Sequence, residues 1–192
     1  MKDQILDIPQ VSPEKNDILV SPFTESEVRD AVFQMENNKA LGPDGFPAEF
    51  YQVFWGVIKD DLLHLFADLH WEALELYSLN FGIITLIPKI QNATKIQQYR
   101  PIYVLNVSFK IFTKVGTNRL NMVAKIVVSP MQTAFMSGRD IMEGVVVLHE
   151  TIHELHTKKQ YGVIFKIDFE KAYDKVKWSF LHQTCTHERF LP

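Results

Sequence analysis

The sequence predicts a mixed α/β fold of the α+β type, and three observations support this prediction. Residues 24–27 form a capping box that opens a segment of helical periodicity. Two short apolar runs between residues 81 and 105 have the length of strands, and a heptad stripe over residues 140–157 indicates a helix. Hydrophobic residues make up 46% of the 192-residue chain, which is enough for a sizeable core.

The first half of the chain is expected to contain a tail and two helices. Residues 1–20 show no sustained periodicity and are interpreted as a tail or linker, which leaves residues 21–192 for the domain. The helix that follows Thr24 has an apolar face that includes Val28 and Val32. Gly42-Pro43-Asp44-Gly45 is a strong turn signal, and Pro47 fits the first turn of a helix that continues to residue 69.

A β-hairpin is predicted next. Residues 81–87 and 99–105 are both nearly continuous apolar runs, and the segment between them is mostly polar. This arrangement places Lys89 and Arg100 at the two flanks of the connection.

Two further helices are predicted after the hairpin. Ser108 is expected to cap the first, which ends at Ser129-Pro130. An irregular segment with a turn at Gly138-Arg139 should then lead into a helix over residues 140–157.

Residues 163–167 are predicted to form a buried strand that carries Asp168 at its carboxyl end, followed by a helix. Strand ends hold carboxylates rigidly and leave them open to substrate, so Asp168 is a candidate catalytic residue. The alternative is that Asp168 only caps the following helix. The local pattern leaves both interpretations open.

The charge of the chain is unevenly distributed along the sequence. The formal net charge is −3, yet no Asp or Glu occurs between residues 76 and 139. We call this stretch the acid-free block. It is a candidate surface for a polyanion, although ordinary solvated lysines would give the same count. Its basic residues are Lys89, Lys95, Arg100, Lys110, Lys114, Arg119, Lys125 and Arg139.

Cysteine content and hydropathy limit the compartment and the partners. The single cysteine, Cys185, excludes an internal disulfide framework, so no disulfide partner is expected. No apolar run is long enough to span a bilayer, and the first residues do not begin a signal peptide. The sequence therefore predicts an intracellular protein of the nucleus or cytoplasm without a membrane partner.

One literal motif suggests a zinc hydrolase. His149-Glu150-Thr151-Ile152-His153 matches the pattern in which two imidazoles one helical turn apart bind zinc and a glutamate acts as base. A catalytic zinc needs a third protein ligand, and His156 is badly spaced for that role. Histidines beside an apolar stripe are more often solvated residues at the edge of a packed helix.

Asp168 and Tyr173 fit a different chemistry. In a two-metal polymerase, a carboxylate at a strand end coordinates divalent ions, and an aromatic residue five positions later can lie under the sugar of a nucleotide. Lys89 and Arg100 on a hairpin would neutralise the triphosphate. The alternative for Tyr173 is a helix residue that packs on the sheet.

Several motifs in order along the chain carry a family resemblance that covers residues 22–180. They are Lys39-Ala40-Leu41-Gly42-Pro43-Asp44-Gly45-Phe46, Leu86-Ile87-Pro88-Lys89, Tyr99-Arg100-Pro101-Ile102, Gln132-Thr133-Ala134-Phe135 with Gly138-Arg139, and Asp168-Phe169-Glu170-Lys171-Ala172-Tyr173-Asp174. With these motifs the chain resembles the reverse transcriptase of plant non-LTR retrotransposons of the long interspersed element type. The resemblance implies an RNA-directed DNA polymerase, with residues 21–192 forming the fingers and the beginning of the palm of a right-hand polymerase.

The resemblance also implies roles for three residues around the metal site. Asp168 would be the first catalytic carboxylate and a ligand of Mg²⁺, and Phe169 would supply a backbone carbonyl to the metal and help to bind the nucleotide. Tyr173 would discriminate between sugars.

The resemblance also implies that four other residues bind the substrates. Lys89 and Arg100 would contact the triphosphate of the dNTP, and Gly138 and Arg139 would lie near the template. The implied partners are an RNA template, a DNA primer and dNTP.

The sequence also departs from the family pattern. Leu41 and Ser137 stand where the family usually has proline, and Tyr103 replaces a small residue. The sequence ends at Pro192, before the paired aspartates of the family's second metal site. We therefore expect this chain to be a fragment that is inactive alone, and a non-catalytic nucleic-acid-binding remnant is the alternative.

Overall fold

The computed structural model describes residues 10–165 and 175–187. Within these residues, helices and a small antiparallel sheet alternate along the chain, which confirms the mixed α+β class. The elements are α1 (Pro13–Val20), α2 (Glu25–Phe33), α3 (Ala48–Val53), α4 (Trp55–His70), α5 (Leu76–Leu79), β1 (Gly82–Pro88), a 3₁₀ turn (Ile96–Gln98), β2 (Tyr99–Leu105), α6 (Val107–Val127), α7 (Ile141–Thr157) and α8 (Trp178–His187).

The chain divides into two compact units. The first unit comprises Ser21–Asn118, and the second combines Met1–Val20 with Arg119–Pro192.

The core of the first unit is helical. Phe66 of α4 lies at its centre, with its ring 4.4 Å from that of Phe112 in α6 and 5.1 Å from that of Phe23. Burial of aromatic side chains of this size dominates the stability of a small core. The buried residues of this cluster are Val28, Ala31, Val32, Ala48, Tyr51, Leu62, Phe66, Val107, Ile111, Phe112 and Val115.

Helix α2 begins with the predicted capping box. Thr24 Oγ1 accepts a hydrogen bond from the Glu27 amide at 3.3 Å, and Glu27 Oε2 accepts one from the Thr24 amide at 2.9 Å. The box satisfies two amides that a helix start otherwise leaves unpaired. Both the start of the helix and its buried face are confirmed.

The single helix predicted from Pro47 to residue 69 is wrong in one respect, because it breaks at Phe54. The Phe54 backbone, with φ −94° and ψ 16°, leaves the helical region and separates α3 from α4. The break changes the helical phase, so Val57 faces solvent with 76% of its surface exposed. The broad apolar face predicted there is consequently interrupted.

The predicted hairpin is confirmed. Strands β1 and β2 pair antiparallel from Gly82 opposite Leu105 to Pro88 opposite Tyr99. Side chains on both faces are exposed, among them Ile83 and Ile84 on opposite faces of β1. The hairpin is thus a projecting element of the first unit.

In the second unit, part of the predicted tail is ordered. Pro13–Val20 form helix α1, with proline at its first position. The buried guanidinium of Arg119 donates to the Leu19 carbonyl at 3.1 Å, and Val11 is buried just before the helix. The eight residues of α1 show almost no apolar stripe, so their periodicity does not predict a helix.

Helices α6 and α7 agree with the predictions apart from one boundary, whereas the short helix α5 and helix α8 were not predicted. Helix α6 begins at Val107, so Ser108 lies within the helix and does not cap it. Asp140 caps α7 by accepting a hydrogen bond from the Met142 amide at 2.9 Å. None of the described helices is long and apolar enough to cross a membrane.

The strand predicted over residues 163–167 is not formed in its described part. Val163, Ile164 and Phe165 adopt no regular structure and are exposed. A strand needs a hydrogen-bonded neighbour, and within the described residues none pairs with this segment. The end of the predicted strand, together with Asp168, lies outside the described residues.

Phe66→Ala is expected to lower the free energy of unfolding by about 3–5 kcal/mol, because it removes the central ring of the core. Urea denaturation of the purified chain measures this change. Val57→Ala in the same helix is the control and should change stability by less than about 0.5 kcal/mol, since that side chain faces solvent. Equal losses for the two variants would contradict the position of the core.

Candidate functional site

The two predicted cations of the hairpin lie at the same end of it. Arg100 pairs with Ile87 in the ladder, and the Lys89 amide extends the ladder by donating to the Gln98 carbonyl at 2.7 Å. Because side chains alternate along a strand, Lys89 and Arg100 are on one face. The structure therefore brings these two predicted residues together at an exposed edge.

The connection between the strands is held by its own side chains. Gln98 Oε1 accepts hydrogen bonds from the amides of Thr94 at 2.8 Å and Lys95 at 3.0 Å. The Tyr99 hydroxyl donates to the Ala93 carbonyl at 2.8 Å, and Lys89 Nζ donates to the Gln97 carbonyl at 3.1 Å. A connection closed in this way presents its cations from a fixed backbone, which suits the binding of an anionic group.

The predicted turn at Gly42-Pro43-Asp44-Gly45 docks on the start of α6. Asn106 Oδ1 accepts a hydrogen bond from the Asp44 amide at 3.2 Å, and a Cβ on Gly42 would lie 2.4 Å from that oxygen. Only glycine permits such a close approach. Gly45 closes the turn with φ +75° by donating to the Gly42 carbonyl at 3.0 Å.

The buried phenol of Tyr51 lies beside this turn. Burial raises the pKa of Tyr51, and the negative charge of Asp44 raises it further. A hydrogen bond with Ser108 acts in the opposite direction. The charge of Asp44 in the docked turn therefore influences the ionisation of the Tyr51 phenol in the core of the first unit.

A cavity of about 590 Å³ lies in the first unit between the segment before this turn, β2 and α6. Its walls combine aliphatic side chains with three lysines, Lys39, Lys110 and Lys114. Lys39 forms an ion pair with Glu36 at 2.6 Å, and Lys110 Nζ donates to the Ala40 carbonyl at 3.3 Å. The cavity is thus cationic in part, and two of its three lysines already have partners.

In the second unit, Arg139 binds backbone rather than facing solvent freely. Its Nη1 donates to the carbonyls of Ser129 at 2.6 Å and Gln132 at 2.7 Å, and its Nη2 donates to those of Val128 at 3.1 Å and Lys125 at 3.3 Å. These bonds fold the segment that follows α6. The position near the template that the resemblance implies for Arg139 stays a prediction.

The other half of that motif, Gly138, forms the predicted turn. Its φ is +76°, and Lys125 Nζ lies 3.3 Å from the position that a Cβ on Gly138 would take. The Arg139 amide donates to the Met136 carbonyl at 3.2 Å and closes the turn.

The same segment contains a feature that is not evident from the sequence. Phe135 has φ +62°, and its side chain is completely exposed at 103% of the reference surface. A phenylalanine rarely adopts a positive φ, and no residue pattern in the sequence predicts one here.

The residues assigned to the metal and to the sugar lie outside the described residues. They are Asp168, Phe169 and Tyr173. Among residues 10–165 and 175–187, no group of three His, Cys, Asp or Glu side chains is arranged to hold a metal ion. That part of the chain includes His149, Glu150 and His153, so the zinc interpretation lacks a third ligand there.

Comparisons with known proteins agree with the motifs. The family model described as "Reverse transcriptase (RNA-dependent DNA polymerase)" matches residues 87–192, just over half of the chain. The chain is also 28% identical, over 185 residues, to the "Transposon TX1 uncharacterized 149 kDa protein" of Xenopus laevis. This similarity covers 96% of the chain and only 14% of that relative.

Gly42→Ala is expected to destabilise the first unit by about 1–3 kcal/mol, because the new methyl group overlaps Asn106. Gly56→Ala is the matched control, since a Cβ there meets nothing within 4 Å. Gly56 is the second residue of α4, where alanine has the better helix propensity, so this change should stabilise by up to about 0.5 kcal/mol. Denaturant titration gives both values, and the same sign for both would contradict the docking of the turn.

Tyr51→Phe is expected to alter the pH dependence of stability at alkaline pH. The folded-state pKa of Tyr51 is raised, so its contribution is fully present below the unfolded value of about 10 and is lost as pH rises through the folded value. The wild-type chain should therefore lose more stability than the variant above about pH 10. Denaturant titrations at pH 7 and at several alkaline values measure the difference, and parallel curves would contradict it.

Proposed function

The chain belongs to the reverse transcriptase family, and we propose that it is part of the RNA-directed DNA polymerase of a non-LTR retrotransposon. The family match carries the proposal. The transposon relative and the ordered motifs, which resemble those of plant elements of the long interspersed type, support the finer assignment. The chain spans only 14% of the length of that relative.

The proposed reaction is nucleotidyl transfer from dNTP to a DNA primer, directed by an RNA template. The acid-free block supports binding of these polyanions, because no carboxylate in residues 76–139 opposes their charge. In the fold we propose, residues 21–192 comprise the fingers and the first part of the palm, and the palm begins near Asp168.

Asp168 is the proposed catalytic carboxylate, and its ligand is proposed to be Mg²⁺. The backbone carbonyl of Phe169 would complete this side of the metal site. Divalent ions in such a site stabilise charge on the attacking and leaving oxygens. Tyr173 would lie against the sugar and discriminate against a 2′-hydroxyl.

Lys89 and Arg100 are proposed to bind the triphosphate. Their common position at one end of the hairpin supports this role, since two cations on one face can contact neighbouring phosphate oxygens. Gly138 and Arg139 are proposed to lie beside the template.

A non-catalytic nucleic-acid-binding protein is the second candidate, and the acid-free block favours it independently of Asp168. The two candidates differ in one observable. The polymerase extends a primer on an RNA template in the presence of Mg²⁺, whereas the second candidate only binds, with an affinity that falls with salt.

The decisive experiment is primer extension by the protein that contains this chain together with any sequence that follows it. Asp168→Ala is expected to reduce extension by roughly 100-fold or more, since a metal ion supplies several kcal/mol of transition-state stabilisation. Binding of the primed template in the absence of Mg²⁺ should persist.

Glu150→Gln is the matched control, because it removes another exposed carboxylate that would be the base of a zinc hydrolase. It should leave extension unchanged. Extension that survives Asp168→Ala would refute the catalytic assignment. Binding without any extension by the wild-type protein would favour the second candidate.

A further inference from the structure

The segment between α6 and α7 is shaped from within by Arg139. The two terminal nitrogens of a guanidinium carry four N–H donors, and the four carbonyl contacts of Arg139 match that number. Only the Nε–H is left for another partner. The geometry thus assigns most of the hydrogen-bonding capacity of Arg139 to the backbone of this segment.

The segment presents Phe135 to solvent at an energetic cost. A positive φ in a bulky residue is strained by roughly 1–3 kcal/mol, and strain of this kind persists only where the surrounding structure enforces it. Here Gln132 Nε2 donates to the Ala134 carbonyl at 3.1 Å, and Arg139 binds the Gln132 carbonyl. An exposed ring held in a strained conformation indicates a surface that meets a partner.

The surroundings of Phe135 favour an anionic partner with a flat face. Lys125 Nζ lies beside Gly138, and no acidic residue occurs between residues 76 and 139. The carboxylate that follows, Asp140, accepts the hydrogen bond that caps α7. Phe135 and Lys125 thus both belong to the surroundings of one turn, and exposed aromatic rings together with lysines are the residue types with which proteins bind single-stranded nucleic acid, through stacking on a base and contact with the backbone.

We propose that Phe135 stacks on an unpaired base of single-stranded nucleic acid, that Lys125 contacts the adjacent phosphate, and that Arg139 is a positioning residue for Phe135. This inference deepens the proposed function and rests on it. Phe135 makes the direct contact of this segment with the nucleic acid, and Arg139 acts indirectly by holding the loop that carries Phe135.

The test is fluorescence anisotropy of the full chain with a labelled single-stranded RNA that contains 2-aminopurine, at several salt concentrations. Phe135→Ala should weaken binding by about 5-fold or more, the usual effect of losing one base–aromatic stack. It should leave the slope of log K against log salt unchanged and abolish the change in 2-aminopurine fluorescence on binding. Phe135→Tyr should restore both the affinity and the fluorescence change.

Lys125→Ala provides the contrast, since loss of a phosphate contact should reduce the salt slope by about one. Trp71→Ala is the matched aromatic control, because Trp71 is 75% exposed but lies beside Glu72 and Asp68. It should leave the affinity unchanged.

Arg139→Lys separates positioning from direct contact, because lysine keeps the charge but cannot reproduce the planar fork. A positioning role predicts a loss similar to that of Phe135→Ala, with no further loss in the double variant. Wild-type affinity of Arg139→Lys, or additive losses in the double variant, would overturn that role. Circular dichroism of each variant shows whether the chain remains folded.

The outcomes also separate this inference from the proposed function. RNA binding that is insensitive to Phe135→Ala overturns the stacking role, while loss of extension on Asp168→Ala would still support the polymerase. Equal weakening by Phe135→Ala and Trp71→Ala would show a general apolar effect and would also overturn the inference.

Discussion

Hydrogen bonds between one polar side chain and the backbone are the interaction on which two of the motif-bearing loops depend. In the first unit, Asn106 Oδ1 accepts a hydrogen bond from the Asp44 amide and holds the turn of residues 42–45. In the second unit, Arg139 donates to the carbonyls of Lys125 and Val128. The end of a helix leaves carbonyls without partners inside the helix, and this side chain supplies donors for them. Each of these two loops is thus held by a single polar side chain.

The parts of the fold that were predicted from the sequence depend on local chemistry. The capping box of Thr24 and Glu27 involves side chains three residues apart, and the hairpin follows from the length of two apolar runs. The break at Phe54 could not be predicted, because the apolar pattern continues through it. Nor does local pattern show whether residues 163–165 find a neighbouring strand, since pairing depends on distant parts of the chain.

The candidate site, like the fold, could be predicted from the sequence only in part. The common face of Lys89 and Arg100 follows from strand alternation and the hairpin register, so it could be predicted once the hairpin was recognised. The hydrogen bonds of the Arg139 guanidinium to backbone carbonyls could not be predicted, because an arginine at a turn binds solvent, nucleic acid or backbone according to what lies near it. The positive φ of Phe135 was equally hidden, since the local sequence shows only that the segment is irregular.

Structural use of the basic residues does not cancel their charge. Arg119 and Arg139 donate to backbone carbonyls, and so does Lys89. A carbonyl orients a cation without neutralising it, whereas a carboxylate would do both. Lys89 and Arg139 therefore keep their positive charge while they hold loops in place. The net charge of −3 conceals this arrangement, and the screening length of about 8–10 Å at moderate salt explains why the local charge matters more to a bound polyanion than the total.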